Sequence, residues 1–172
     1  AKETRGFSYN YNILSPLTAE AAEKGARLVI WPETAVPAYL QGEFHRPYRN
    51  QIQALADSLN VFIYTGTWHI EDGSPARSYN ASVLFSPGGV KLPQYNKMKL
   101  VPFGERAPFP EILPFLRQIQ FSGGGYVSAN FEAGKEYTVF NGPDGPFSGL
   151  ICYDSIFPGL VREFAARGAE LL

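Results

Sequence analysis

The chain has 172 residues, of which 16 are acidic and 15 are basic, so its formal net charge is −1. This near-balance removes the electrostatic case for binding nucleic acid or for a polybasic membrane patch. Hydrophobic residues make up 45% of the chain and charged residues 18%, which excludes intrinsic disorder. We therefore expect a folded domain with its own hydrophobic core and no nucleic-acid partner.

Cysteine and histidine are scarce, which limits metal and disulfide chemistry. A single cysteine, Cys152, excludes an internal disulfide and a zinc site built on cysteines. The two histidines, His45 and His69, are far apart in the sequence and give no metal-ligand spacing. We predict neither a metal nor a cofactor. No apolar run approaches the roughly 18–20 residues of a membrane span, and no leader pattern stands at the N-terminus.

The first half of the chain predicts helices that alternate with strands, an order typical of α/β layering. Ser15 suits the cap of a helix, Pro16 its first turn and Gly25 its end. Upstream, apolar residues alternate over 7–13 and could form a separate strand. The predicted elements are a helix over 16–25, a buried strand over 26–31, a helix over 47–59 and a strand over 61–66.

The second half predicts a hairpin, a long surface excursion and a final strand and helix. The excursion over 102–130 contains an amphipathic pattern over 109–121, followed by three glycines that could act as a hinge. This pattern fits either a helix packed on the core or a lid that contacts acyl chains or a bilayer surface. The other predicted elements are strands over 79–85 and 90–92, a strand over 147–153 and a helix over 158–167.

After Gly168, the apolar residues Leu171 and Leu172 predict the start of another strand. The chain also begins without a methionine. We therefore expect a truncated domain, with a short edge strand as the alternative.

Three segments place reactive groups where predicted strands end. Glu33 follows the strand over 28–31, Lys97 and Glu105 lie on a loop, and Cys152 lies near the end of the strand over 147–153. Functional sites in open α/β sheets collect at the carboxyl ends of strands. A cysteine beside a base can act as a nucleophile, and a cation can stabilise the oxyanion that forms. Since neither histidine lies beside such a strand end, a carboxylate must serve as the base.

Each of these residues also has an ordinary structural explanation. Cys152 alone could be a small core residue in an apolar strand. Glu33 alone could be a solvated turn residue, and Lys97 alone could be an exposed surface lysine. The prediction of an active site therefore depends on the combination of the segments and their order.

The segments Trp-Pro-Glu-Thr at 31–34, Tyr-x-Lys at 95–97 and Ile-Cys-Tyr-Asp at 151–154 together resemble the carbon–nitrogen hydrolase (nitrilase) superfamily. Members of this superfamily use a triad of Glu, Lys and Cys, and Glu33, Lys97 and Cys152 occupy the matching positions. The resemblance implies an α-β-β-α sandwich of two β-sheets flanked by helices. It also implies that residues 1–172 form a single, partial domain.

Two segments point to one branch of the superfamily, the apolipoprotein N-acyltransferases. These are Val-Pro-Phe-Gly-Glu at 101–105 and Trp-Pro-Glu-Thr-Ala-Val-Pro at 31–37. That branch moves an acyl chain from a phospholipid to the N-terminal amine of a lipoprotein. The resemblance implies the bacterial inner membrane, with the catalytic domain facing the periplasm and membrane contact through parts absent from this chain.

Asp154 departs from that branch, which usually carries Glu after the Cys-Tyr pair, whereas many amidases carry Asp. A soluble, cytoplasmic amidase with the same triad therefore remains the alternative. A binding module with an incidental cysteine is a third reading.

The resemblance also implies a role for each residue of the site. Glu33 is the general base, and Cys152 attacks the acyl carbonyl to give a thioester. Lys97 and the backbone N–H of Tyr153 stabilise the tetrahedral oxyanion. Glu105 supports the site, either by a hydrogen bond with Lys97 or by positioning the amine.

Overall fold

The computed structural model describes residues 2–102, 104, 105 and 131–172. The helices are α1 (Lys2–Glu23), α2 (Arg46–Leu59) and α3 (Pro158–Ala166). The strands are β1 (Leu28–Ile30), β2 (Phe62–Glu71), β3 (Arg77–Phe85), β4 (Gln94–Asn96), β5 (Phe140–Gly142) and β6 (Gly145–Phe147). Within the described residues four strands form one sheet in the order β1-β2-β3-β4, and two strands, β5 and β6, form a second sheet.

The two faces of the larger sheet are covered by different layers, because side chains alternate along each strand. On one face Ile63 of β2 packs with α1 and α2 in a core that includes Phe7 and Ile52. On the other face Tyr64 packs with the smaller sheet and with α3, in a core that includes Phe164. The layers are therefore helices, sheet, sheet and helix, which confirms the predicted α-β-β-α sandwich.

The helix α1 begins at Lys2, so the predicted strand over 7–13 and the predicted helix start at Pro16 are wrong. Burial of one helical face decides the conformation: Phe7 stacks on Tyr48 of α2 with ring centroids 4.0 Å apart. Pro16 removes one backbone hydrogen bond from α1, a cost that the packing offsets. The α1 side chains that pack into this core are Phe7, Tyr11, Leu14 and Ala22.

The predicted strand over 26–31 is present as β1, but it lies at the edge of the described sheet. It pairs in parallel with β2, and Ile30 is 61% exposed, so the strand is not buried as predicted. The predicted helix over 47–59 is confirmed as α2. The strand predicted over 61–66 extends to Glu71, since β2 pairs with β3 in an antiparallel hairpin from Ile63 to Glu71.

The strand predicted over 90–92 is wrong. Val90 is fully exposed, and β4 lies at Gln94–Asn96, where Tyr95 pairs with Ser82 of β3. The burial of Tyr95 against Phe164 of α3 fixes this register. Lys97 directly follows β4 and is two residues from Tyr95, so the two side chains lie on the same face of the strand. This face packs toward the second sheet.

The strand predicted over 147–153 is also largely wrong. The strand β6 ends at Phe147, and Cys152 begins a 3-10 turn, Cys152–Ile156, instead of ending a strand. Phe140 of β5 pairs with Phe147 in a short hairpin that the sequence patterns did not indicate. The predicted final helix is confirmed as α3. Leu171 makes a single parallel bridge with Phe147, so the predicted start of a strand has a pairing partner.

Some features expected from the sequence stay predictions. The predicted helix over 109–121 and the glycine hinge over 123–125 lie outside the described residues. The assignment of residues 1–172 to one partial domain stays a prediction. In the part of the chain that is described, no helix combines the length and the apolar character needed to cross a bilayer.

Substitution of Phe7 tests whether α1 belongs to the folded core. Phe7 is 2% exposed, so we expect Phe7→Ala to lower the free energy of unfolding by about 3–5 kcal/mol, through lost burial and a new cavity. Tyr9→Ala on the same helix, where the side chain is 69% exposed, should change it by less than about 0.5 kcal/mol. Urea denaturation of both variants measures this, and similar values would contradict the packing of α1.

Candidate active site

Glu33 lies on the segment that follows β1, and this segment continues alongside β2. The Trp31 N–H donates to the Tyr64 carbonyl at 2.8 Å, which keeps this segment on the sheet. A Cβ atom on Gly66 would lie 2.6 Å from the Thr34 nitrogen, so only glycine allows this close approach. Thr34 adopts a φ of 56°, which makes the turn that presents Glu33 with its side chain 38% exposed.

Lys97 is buried, with only 1% of its side chain exposed. Its backbone is held on both sides, since its N–H donates to the Asn80 carbonyl and its carbonyl accepts from Gly134, each at 2.8 Å. Its Nζ lies 2.9 Å from Glu105 Oε2 and 3.7 Å from Glu33 Oε1. A buried charge is strongly unfavourable unless it is paired, so these two carboxylates are what allow Lys97 to lie here.

Glu105 is the closer partner of Lys97, and it is also fixed by the backbone. Its Oε1 accepts a hydrogen bond from Lys97 Nζ at 3.0 Å, and its Oε2 accepts one from the Val101 N–H at 2.9 Å. Of the two supporting roles predicted for Glu105, the structure therefore gives the hydrogen bond with Lys97. The side chain is 14% exposed, much less than that of Glu33.

Asn80 joins the two carboxylates, although it lies outside the sequence motifs that predicted the site. Its Nδ2 donates to Glu33 Oε1 at 2.8 Å and to Glu105 Oε1 at 2.7 Å. The residue lies within β3 and is 4% exposed. One signal was available: asparagine is depleted in strands, so an asparagine inside an apolar strand indicates a specific partner for its amide.

Cys152 and Tyr153 lie on the 3-10 turn, where the Cys152 side chain is accessible. Cys152 is exposed and adopts a φ of 48°, in the left-handed region that costs a residue with a Cβ atom about 1–3 kcal/mol. Such strain occurs at functional sites when the surrounding structure holds it.

Asp154 holds the Cys152 turn against the chain on either side of Lys97. Its Oδ1 accepts from the Lys99 N–H at 2.7 Å, and its Oδ2 accepts from the Tyr95 hydroxyl at 2.9 Å. Oδ2 also accepts from the Ile151 N–H at 3.2 Å, just before the cysteine. The described contacts thus bring Glu33, Lys97 and Glu105 together directly. Among the described contacts none joins the Cys152 side chain to these three, and Asp154 connects the Cys152 turn to Tyr95 and Lys99, on either side of Lys97.

Burial affects the pKa values of Asp154 and Tyr95. It raises the pKa of Asp154, while the Lys99 N–H, the Tyr95 hydroxyl and the charge of Lys97 act in the opposite direction. Burial and the neighbouring Asp154 carboxylate raise the pKa of Tyr95. Tyr95 therefore stays a hydrogen-bond donor at neutral pH. In the described part of the chain, no cluster of three His, Cys, Asp or Glu side chains could hold a metal ion.

The raised pKa of Asp154 gives a pH dependence of stability. The folded state binds a proton at Asp154 at higher pH than the unfolded state, whose value is near the ordinary 3.8. The contribution of Asp154 to the free energy of unfolding is therefore present below pH 3.8. It is lost as the pH rises through the raised pKa that Asp154 has in the folded state. We expect the melting temperature of wild type to fall relative to Asp154→Asn across this window, and then to keep a constant difference.

Thermal unfolding at several pH values between 3.5 and roughly 7 measures this difference. Asp72→Asn removes an exposed carboxylate and controls for the loss of one charge. A difference between wild type and Asp154→Asn that did not change with pH would contradict the assigned direction.

Comparisons with known proteins place this chain in a family. The carbon–nitrogen hydrolase family model matches residues 4–172. The apolipoprotein N-acyltransferase of Chlorobaculum tepidum is 37% identical over 180 residues, which cover 92% of this chain and 33% of that protein. The protein of the same name from Geobacter metallireducens is 32% identical over 162 residues, which cover 93% and 30%. The chain thus spans about a third of the length of these relatives.

Solved structures agree on the fold. The C. elegans NitFhit protein superposes with a TM-score of 0.69 at 24% identity, over 96% of this chain and 39% of that chain. A cysteine-to-serine mutant of a nitrilase-superfamily amidase from Nesterenkonia AN1 gives a TM-score of 0.66 at 21% identity, over 95% and 58%. At these identities the likeness supports the fold alone. Because the family match runs over nearly the whole chain, the protein belongs to the carbon–nitrogen hydrolase family, as its sequence motifs predicted.

Proposed function

We propose that the protein moves an acyl chain from a phospholipid, through a thioester on Cys152, to the N-terminal amine of a lipoprotein. The observation that carries this proposal is the buried Lys97 between Glu33 and Glu105, tied through Asp154 to the turn of an exposed cysteine. This arrangement suits acyl transfer, because it combines a nucleophile, a base and a cation. The relatives named apolipoprotein N-acyltransferase supply the substrate class.

In the first step the Glu33 carboxylate takes the proton of the Cys152 thiol, and the sulfur attacks the carbonyl carbon of a phospholipid ester. The C–S bond forms, and the carbonyl oxygen becomes an oxyanion beside Lys97 and the Tyr153 N–H. The intermediate then breaks its C–O bond, and the leaving alkoxide takes the proton from Glu33. The products are a lysophospholipid and an acyl thioester on Cys152.

In the second step the neutral amine of the acceptor attacks the thioester carbonyl. The amine gives a proton to Glu33, the C–S bond breaks, and the Cys152 thiolate recovers that proton from Glu33. The product is an amide, and the enzyme returns to its starting state. Glu33 thus acts as base and then as acid in both steps, which suits a carboxylate that is partly exposed and lies 3.7 Å from a cation.

The proposal also includes a location. We place the protein at the bacterial inner membrane with this domain facing the periplasm, and membrane contact outside the 172 residues. The competing proposal is a cytoplasmic amidase in which water attacks the thioester. Asp154, which occurs in many amidases of the superfamily, favours that alternative, and the adduct experiment below separates the two.

The covalent intermediate gives a direct test of the function. We expect the complete gene product, incubated with a labelled phospholipid, to gain the mass of one acyl chain on Cys152, since the thioester waits for its second substrate. Intact mass spectrometry measures the adduct, which should be absent in Cys152→Ala and discharged by a lipopeptide with a free N-terminal amine. Absence of the adduct, with rapid release of ammonia from small amides, would favour the amidase instead.

Comparing the loss of Lys97 with the loss of a nearby exposed lysine shows whether the effect on activity is specific to Lys97. Lys97→Met removes the buried cation, and we expect it to lower kcat by about 10²–10³-fold, the usual effect of removing one oxyanion donor. Lys99→Met, two residues further on, removes an exposed lysine whose backbone N–H still reaches Asp154, and should keep most of the activity. Acylation rates of both variants, with circular dichroism as the check on folding, decide this. Equal losses would argue against Lys97 as the oxyanion donor.

A further inference from the structure

The Asn80 amide has one hydrogen-bonding atom in use and one that is free among the described residues. Its two N–H groups are both occupied, by Glu33 Oε1 at 2.8 Å and by Glu105 Oε1 at 2.7 Å. Its Oδ1 is buried and has no hydrogen-bond partner within the described part of the chain. The reverse orientation of the amide would put Oδ1 against two carboxylate oxygens, so the two acids fix the orientation. Oδ1 is therefore a spare acceptor in a residue that is 4% exposed.

Asn80 is also one of the residues that line a cavity. A cavity of about 450 Å³ is lined by Asn80, by both carboxylates and by apolar and aromatic side chains. Lining residues on its other walls include Asn10, Pro37, Trp68 and Phe131. Buried polar groups in folded proteins almost always find a partner, so a free buried acceptor on a residue that lines a cavity indicates a donor that the described residues do not provide.

The charges at this cavity favour a cationic or strongly donating group. Within the described contacts, the single ammonium of Lys97 faces two carboxylates, Glu33 and Glu105, which leaves one negative charge uncompensated. Asn80 Oδ1 adds a third acceptor and no charge. A primary amine offers two or three N–H donors, which match these three acceptors, whereas an ester carbonyl or a phosphate offers none.

We propose that Asn80 binds the amine of the acyl acceptor, through an N–H···Oδ1 hydrogen bond, in this cavity between Glu33 and Glu105. This inference rests on the proposed function, because it assigns the second substrate of that reaction. The amine enters as an ammonium and loses one proton to solvent. Asn80 Oδ1 then holds one N–H, and Glu33 accepts the other proton as the nitrogen attacks the thioester. The C–N bond forms, the C–S bond breaks, and Glu33 returns that proton to the sulfur.

The two half-reactions distinguish amine binding from a purely structural role. If Asn80 only orients Glu33, Asn80→Ala should slow acylation and transfer by the same factor, since both steps use Glu33. If Asn80 binds the amine, we expect transfer to slow at least tenfold more than acylation, with a raised KM for the amine and an accumulating acyl-enzyme. Asn50→Ala, an exposed asparagine in α2, is the matched control and should change neither step.

A binding measurement covers the case in which Asn80→Ala does not fold. In the Cys152→Ala form of the complete gene product, calorimetry compares a short peptide that has a free N-terminal amine with its N-acetylated form. We expect at least tenfold tighter binding of the free amine. Asn80→Ser, which keeps a smaller polar side chain, should remove most of that preference.

The outcomes separate this inference from the proposed function. No preference for the free amine, or equal slowing of both half-reactions, would overturn the role of Asn80 while leaving acyl transfer intact. Failure of the unsubstituted protein to form any acyl-enzyme would overturn the proposed function, and the calorimetric comparison would still test the amine site.

Discussion

The site depends on the burial of one charge. Lys97 is 1% exposed, and its ammonium group can lie inside the protein only because Glu105 and Glu33 face it. Each carboxylate is then constrained in turn, Glu105 by the Val101 N–H and both of them by the Asn80 amide. Groups that share a buried network are worth more together than separately, since removing one leaves the others unpaired. The arrangement is thus one unit and not a set of independent pairs.

The two carboxylates differ in a way that suits different tasks. Glu105 is 14% exposed and is held by a backbone donor as well as by Lys97, so it serves as the fixed counter-ion. Glu33 is 38% exposed and lies further from Lys97, at 3.7 Å, so it keeps access to solvent and to a substrate. An acid that exchanges protons during a reaction needs such access, whereas a counter-ion does not.

The helices α2 and α3 could be predicted from local sequence patterns, and the layer order from the resemblance to the family. The same resemblance singled out Glu33, Lys97, Glu105 and Cys152, of which the structure brings the first three together. It did not reveal the conformation around Cys152, because the apolar run over 147–153 has the composition of a strand while hydrogen bonds with Asp154 fold it into a turn. The start of α1 was missed for a related reason. Packing of Phe7 on Tyr48 outweighs the local signal of Pro16, and only the tertiary structure contains that contact.

The contacts of the site join parts of the chain that are distant in sequence, and this affects how the site forms. Asn80 reaches Glu33 across 47 residues, and Asp154 reaches Tyr95 across 59 and the Lys99 N–H across 55. Contacts of such separation require long loops to close, so the site depends on the assembled sheet and not on local structure. The β3–β4 pairing and the hydrogen bond from the Lys97 N–H to the Asn80 carbonyl hold Asn80 and Lys97 next to each other. Under the proposed function, a chain whose sheet is not yet assembled would therefore lack the paired base and cation that acyl transfer needs.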